Sequence, residues 1–166
     1  MADEKIVFTL DGGDVVIGLR PDLAPKHVEQ ITKLVKDGFY DGLNFHRVID
    51  GFVAQGGCPN GNGMGGSGTN IPAEFNAEPH VRGTMSMARS ADPNSASSQF
   101  FICLDEVPYL NYRYTVWGQV EPGKVSQAGR LIFNSPSFTE SILLLLLLHI
   151  LILMISRISA DHVYFY

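Results

Sequence analysis

Short apolar runs open the chain, Lys5 to Leu10 and Val15 to Leu19, and the Asp11-Gly12-Gly13-Asp14 between them has the composition of a tight hairpin turn. The period then changes. Val28, Ile31, Leu34 and Val35 recur on one face behind Pro25, and Asp37-Gly38 ends the pattern, which predicts one helix capping a sheet. Strand-like runs return at Phe45 to Val48, Phe52 to Gln55, Gly83 to Ala88, Gln99 to Leu104 and Thr115 to Val120, joined by Gly, Pro and Asn. This order predicts a mainly β chain, an antiparallel barrel or sandwich. No internal repeat interrupts it.

After Val120 the pattern breaks. Glu121-Pro122-Gly123-Lys124 leads into Ser- and Leu-rich sequence in which neither a further helix nor a closing strand is legible. Ile142 to Ile155 is apolar apart from His149, with six consecutive leucines that favour helix over strand, but the run has only 14 residues. About 20 are needed to span a bilayer, so membrane contact through residues 142–155 is a minor alternative. The expected division is a folded domain over residues 1–120 and a divergent leucine-rich tail over residues 121–166, as an altered reading frame or unspliced end would produce. A barrel without its closing strand would expose two edges.

A length of 166 residues and an apolar fraction of 45% allow one domain with a real core. The net charge of −5 arises before residue 121, where 9 Lys and Arg face 14 Asp and Glu; the remainder balances at 3 against 3. With no basic block, nucleic acid is not an expected partner. Cys58 and Cys103 fall beside or within strand-like runs, where buried reduced thiols are common, which favours a cytoplasmic setting. Met1-Ala2-Asp3-Glu4-Lys5 does not read as a secretory signal. The histidines His27, His80, His149 and His162 lack ligand spacing, so neither metal nor cofactor is expected. Gly61-Asn62-Gly63-Met64-Gly65-Gly66 has the spacing of a dinucleotide-binding turn, but Ser67-Gly68-Thr69-Asn70-Ile71-Pro72 follows where a helix should stand.

The candidate chemistry lies in Phe45-His46-Arg47-Val48-Ile49-Asp50-Gly51-Phe52-Val53-Ala54-Gln55-Gly56-Gly57 and in Ser98-Gln99-Phe100-Phe101-Ile102. Each sets a polar group among aromatic and aliphatic residues. They suggest a shallow apolar pocket edged by a guanidinium, suited to a neutral ring such as proline rather than to a phosphate. Arginine is a poor general base, because it stays protonated. Rotation about an Xaa–Pro bond needs no base: the twisted prolyl nitrogen regains a lone pair, and a donor aimed at it stabilises the transition state selectively. Arg47 is the expected donor and Gln55 its holder, since adjacent antiparallel strands could place the two side by side. Proline isomerisation transfers no proton, so His46 is read as a hydrogen-bonded support. On burial preference alone Phe45, Phe52, Phe100, Phe101 and Leu110 read as core.

These two runs, with Val81-Arg82-Gly83-Thr84-Met85-Ser86-Met87-Ala88 between them and Tyr114-Thr115-Val116-Trp117-Gly118 after them, resemble the cyclophilin family of peptidyl-prolyl cis-trans isomerases from about Lys5 to Val120. The resemblance implies an antiparallel β-barrel with capping helices, here incomplete at its C-terminal strand. It implies proline-containing peptides and unfolded proteins as partners, and a proline ring seated against Phe52, Val53, Phe101 and Leu110. Substrate backbone would pair at Arg89, with Ala88, Gln99, His46, Tyr109 and Tyr114 completing the site. The glycine loop and Ala91 to Ser98 would border the groove. Val53 stands where members often have Met, Arg89 where they often have Asn, Tyr109 where many drug-sensitive members have Trp, and Tyr114 where many eukaryotic members have His. Weak cyclosporin binding is therefore expected. The alternative reading is a non-catalytic proline-peptide binding module or an inactive truncated isomerase, tied to a membrane through its tail.

Overall fold

The opening runs form a hairpin. In the computed structural model, which describes residues 4–10, 13–125 and 160–165, β1 (Lys5–Leu10) pairs antiparallel with β2 (Gly13–Leu19), Leu10 standing opposite Gly13. Ile6, Phe8 and Leu10 of β1 and Val15, Ile17 and Leu19 of β2 are all buried. They share one face because successive side chains of a strand point to opposite sides.

Helix α1 (Pro25–Lys36) buries the expected stripe of Val28, Ile31, Leu34 and Val35, together with His27. Pro25 suits the first turn, where its missing N–H has no helical partner to lose. The helix stops at Asp37, and Gly38 takes a left-handed φ of 68°. Ala24, at the N-cap, offers no side-chain acceptor. Glu74 fills that role from a distant loop, its carboxylate accepting the N–H of Lys26 at 3.1 Å, the N–H of His27 at 2.9 Å and His27 Nδ1–H at 2.6 Å.

Beyond the helix come β3 (Arg47–Ile49), β4 (Val53–Gly56), β5 (Thr84–Met87), β6 (Phe100–Cys103), β7 (Val116–Val125) and β8 (Ala160–Phe165). All neighbours are antiparallel, and the sheet order is β3-β4-β6-β5-β7-β2-β1-β8. The result is a curled half-barrel with one α-helix among the described residues. Phe8, Tyr40, Phe45 and Trp117 all pack around Phe100, Phe8 with ring centroids 5.2 Å apart and Trp117 edge-on at 6.3 Å.

Two features differ from the sequence expectation. β7 continues through residues 121–125, and Glu121 pairs with Lys5 at 2.7 Å. The strand that could not be read in the tail is present as β8, which pairs with β1 from Ile6 to Leu10. Its cue is weak, because six residues after a polar stretch carry little periodicity. The leucine run at 142–155 lies outside the described residues. Residues 61–70 form a loop with no helix, as their context predicts.

The middle of the sheet positions the site. β5 and β6 are buried at every residue, so both faces are covered. One face carries Met85, Met87, Phe100 and Ile102 into the barrel core. The other carries Phe101 and Cys103, joined by Val53, Val107 and Leu110, into a second apolar cluster outside the barrel. The consecutive pair Phe100-Phe101 is divided between them by strand alternation.

Candidate active site

The second cluster is not fully closed. Phe52, Ala88 and Tyr114 pack against it while remaining half-buried. Between them lies a cavity of about 90 Å³, lined by Arg47, Phe52, Val53, Gln55, Ala88, Arg89, Phe101, Leu110 and Tyr114. A cavity of that size admits several water-sized groups, the scale of one small ring.

Arg47 and Gln55 stand directly opposite each other in the β3–β4 ladder, and Gln55 stands opposite Phe101 in the β4–β6 ladder. Arg47 Nη1 donates to Gln55 Oε1 at 3.4 Å, and the guanidinium lies 5.5 Å from the centre of the Phe52 ring. Gln55 Nε2 in turn donates to Gln99 Oε1 at 3.0 Å. Gln99 Nε2 donates to the carbonyls of Gly63 and Gly65, both at 2.8 Å. The expected pair is therefore the visible end of a longer chain of hydrogen bonds anchored in the glycine loop.

That loop leaves β4 at Gly57, whose φ is +79° and where a Cβ would come 2.4 Å from Ser98 O. Only glycine fits there. Beside the small cavity the loop bounds a larger groove of about 660 Å³, whose walls include Met64, Ser90, Ser95, Ser97 and Gln99. Gln55, Ala88 and Arg89 line both spaces. Among the described residues the backbone N–H and C=O of Arg89 form no backbone hydrogen bond, although neighbouring Ala88 N–H donates to Gln99 O at 2.9 Å.

The remaining expected residues are placed as follows. Tyr109 stacks on Phe52 at 5.9 Å and 28° but does not line the small cavity. Tyr114 meets Phe101 edge-on at 5.4 Å. His46 lines neither space: its ring packs against Gly63, and its buried Nδ1 has no hydrogen-bond partner, so the expected support is absent at that atom. Burial and the neighbouring Arg47 charge hold its pKa below the ordinary histidine value.

Three contributors escaped the sequence reading. His80, scattered by sequence, is buried behind the cavity, stacked on Phe101 at 6.0 Å and bonded to Asn111 Oδ1 and Ser86 Oγ, each at 3.0 Å. Burial lowers its pKa against the hydrogen bond that the ring gives to Asn111 Oδ1, favouring the neutral ring. Phe75 and the carbonyl of Arg113 hold the Arg89 side chain. None of the three has a local motif. Among the described residues no His, Cys, Asp or Glu cluster could hold a metal ion.

The family model described as cyclophilin type peptidyl-prolyl cis-trans isomerase/CLD matches residues 5–126. A probable peptidyl-prolyl cis-trans isomerase of Brucella suis is 53% identical over 133 residues, covering 73% of this chain and 68% of the relative. Peptidyl-prolyl cis-trans isomerase B of Bacillus subtilis is 48% identical over 115 residues, covering 68% and 80%. The crystal structure of a Cryptosporidium parvum cyclophilin type peptidyl-prolyl cis-trans isomerase, determined in the presence of the dipeptide Ala-Pro, superposes with a TM-score of 0.77 at 26% identity over 98% of both chains. With its half-barrel and its pocket on the outer face of β4 and β6, the chain belongs to the cyclophilin-type peptidyl-prolyl cis-trans isomerases.

Proposed function

We propose that the chain catalyses cis–trans isomerisation of Xaa–Pro bonds in peptides and unfolded proteins, with Arg47 donating to the prolyl nitrogen. The observation that carries this reading is Arg47 on the wall of a small cavity that Phe52, Val53, Phe101 and Leu110 also line, opposite Gln55 in the ladder. Amide resonance sets a barrier of about 18–20 kcal/mol, and twisting returns a lone pair to the nitrogen. A donor that meets this lone pair stabilises the twisted state and neither planar one. No proton moves, which suits a group that never deprotonates.

One preorganised donor supplies a factor of about 10² to 10³. Further stabilisation comes from seating the ring against Phe52, Val53, Phe101 and Leu110 and from pairing substrate backbone with the unbonded N–H and C=O of Arg89 as a short added strand. The Ala-Pro dipeptide present with the Cryptosporidium relative supports this ligand class. NMR exchange measured on a short Xaa–Pro peptide tests the reading. The full chain accelerates exchange, and Arg47→Ala loses about two to three orders of magnitude while still binding the peptide. Unaccelerated exchange with folded parent, or equal rates in the variant, overturns it.

Cyclosporin binds weakly on this reading. Tyr109 is 60% exposed and offers a smaller face than tryptophan at the rim. Titration checks this, and nanomolar affinity refutes it. Free, buried Cys58 and Cys103 suit a reducing cytoplasmic setting, which fractionation of cells expressing the full chain checks.

A further inference from the structure

Arg89 stands between the ring cavity and the larger groove and lines both. Its guanidinium is held on several sides. Nε and Nη2 donate to Arg113 O at 3.1 and 2.8 Å, and Nη1 donates to Ser90 O at 2.9 Å and Ala91 O at 3.4 Å. The Tyr114 ring lies 4.9 Å away and the Phe75 ring 5.6 Å away. Four of its five N–H donors are thus committed, leaving one on Nη2.

These partners are carbonyl dipoles and aromatic faces, so they orient the cation without neutralising its charge. Elsewhere Lys5, Arg20 and Lys33 each pair with a carboxylate. Arg89 and Arg47 have no such ion pair among the described residues, and neither the cavity nor the groove has an Asp or Glu in its lining. Asp92, the acidic residue nearest to Arg89 in sequence, turns its carboxylate to the N–H of Asn94 at 2.9 Å. The site is therefore a fixed cationic spot on a chain of net charge −5.

Resting on the isomerase reading, we propose that Arg89 makes this site select proline substrates that carry an acidic side chain in the segment occupying the larger groove. Because the guanidinium is already immobilised, an incoming carboxylate meets a prepositioned donor and little arginine entropy is lost. A partly exposed pair of this kind is worth a factor of about five. A lysine at the same substrate position meets repulsion.

The test uses the full chain with two sets of short Xaa–Pro peptides, bearing Glu, Ala or Lys either two residues before or two residues after the proline. NMR exchange gives relative kcat/KM and shift titration gives Kd. On one side of the proline, Glu is preferred over Lys by about fivefold or more at low salt, and the ratio falls towards one in about 0.5 M NaCl. It also falls towards one in Arg89→Gln and is restored in part by Arg89→Lys. A ratio of one in the parent at low salt on both sides overturns the proposal, as does a ratio that persists in Arg89→Gln. If Arg89→Gln does not fold, Arg89→Met, read beside the parent's salt series, decides the matter. Accelerated exchange of the Ala peptides without a Glu preference sinks this proposal alone. A Glu preference in Kd without acceleration of any peptide sinks the isomerase reading instead.

Discussion

At the scale of single residues, the site depends on the direction of hydrogen bonds. The carbonyls of Gly63 and Gly65 can only accept, so they draw the Gln99 amide nitrogen to themselves and leave its oxygen facing Gln55. That oxygen takes the Gln55 nitrogen, which leaves the Gln55 oxygen for Arg47. Removing the middle link should therefore loosen the guanidinium without emptying the pocket. Gln99→Leu is expected to lower kcat/KM about tenfold, the equivalent of one net hydrogen bond of about 1.4 kcal/mol, with peptide Kd changed less than twofold. A rate within twofold of parent in the exchange assay refutes the relay. The pairing of Arg47 with Gln55 was legible because an eight-residue separation fits a hairpin. The glycine carbonyls were not, since a backbone acceptor leaves no mark on the sequence.

At the scale of elements, local periodicity was a good guide and distant capping was invisible. The boundaries of α1 follow from Pro25 and Asp37-Gly38, but nothing near Ala24 announces that Glu74, 47 residues from His27, supplies the cap. Glu74→Ala leaves the N–H groups of Lys26 and His27 and the buried His27 ring without their acceptor. A loss of about 2–3 kcal/mol is expected at neutral pH, read from urea unfolding. Burial acts to raise the Glu74 pKa, but hydrogen bonds from His27 and the helix N–H groups prevail and lower it. His27 is lowered as well, by burial against the pull of Glu74, so the short contact is a neutral imidazole donating to a carboxylate. Both folded pKa values lie below their unfolded counterparts, so the unfolded chain binds more protons in acid. The contribution of this pair to stability is complete above about pH 6.5 and declines as pH falls, first through His27 and then through Glu74 below about pH 4.3. The cost of Glu74→Ala should accordingly shrink towards pH 3; a constant cost would show that the carboxylate charge is not what matters.

At the scale of the whole molecule, the sheet must cover the edge of β1, and the strand that does so follows a stretch unlike the rest of the domain. The last strand was not legible because leucine-rich composition says nothing about six residues near the end of the chain. β8 supplies backbone partners to β1 at Ile6, Val7, Phe8, Thr9 and Leu10, with an irregularity between Thr9 and Leu10. It stands at one end of the sheet order and β3 at the other, so its outer edge has no strand partner among the described residues. Consecutive N–H groups of β8 therefore point alternately to β1 and away from it. Val163 stands opposite Phe8 and Tyr164 opposite Val7, so proline placed at these two positions in separate variants should have unequal effects. Where the lost N–H served β1 the cost is about 2–3 kcal/mol; where it faced outward the edge tolerates proline with a much smaller loss. Urea unfolding of the two variants reads the difference. Equal, negligible costs would mean that the half-barrel holds together from β3 to β1 without its last strand, and that the tail contributes nothing to the fold on which Arg47 and Gln55 depend.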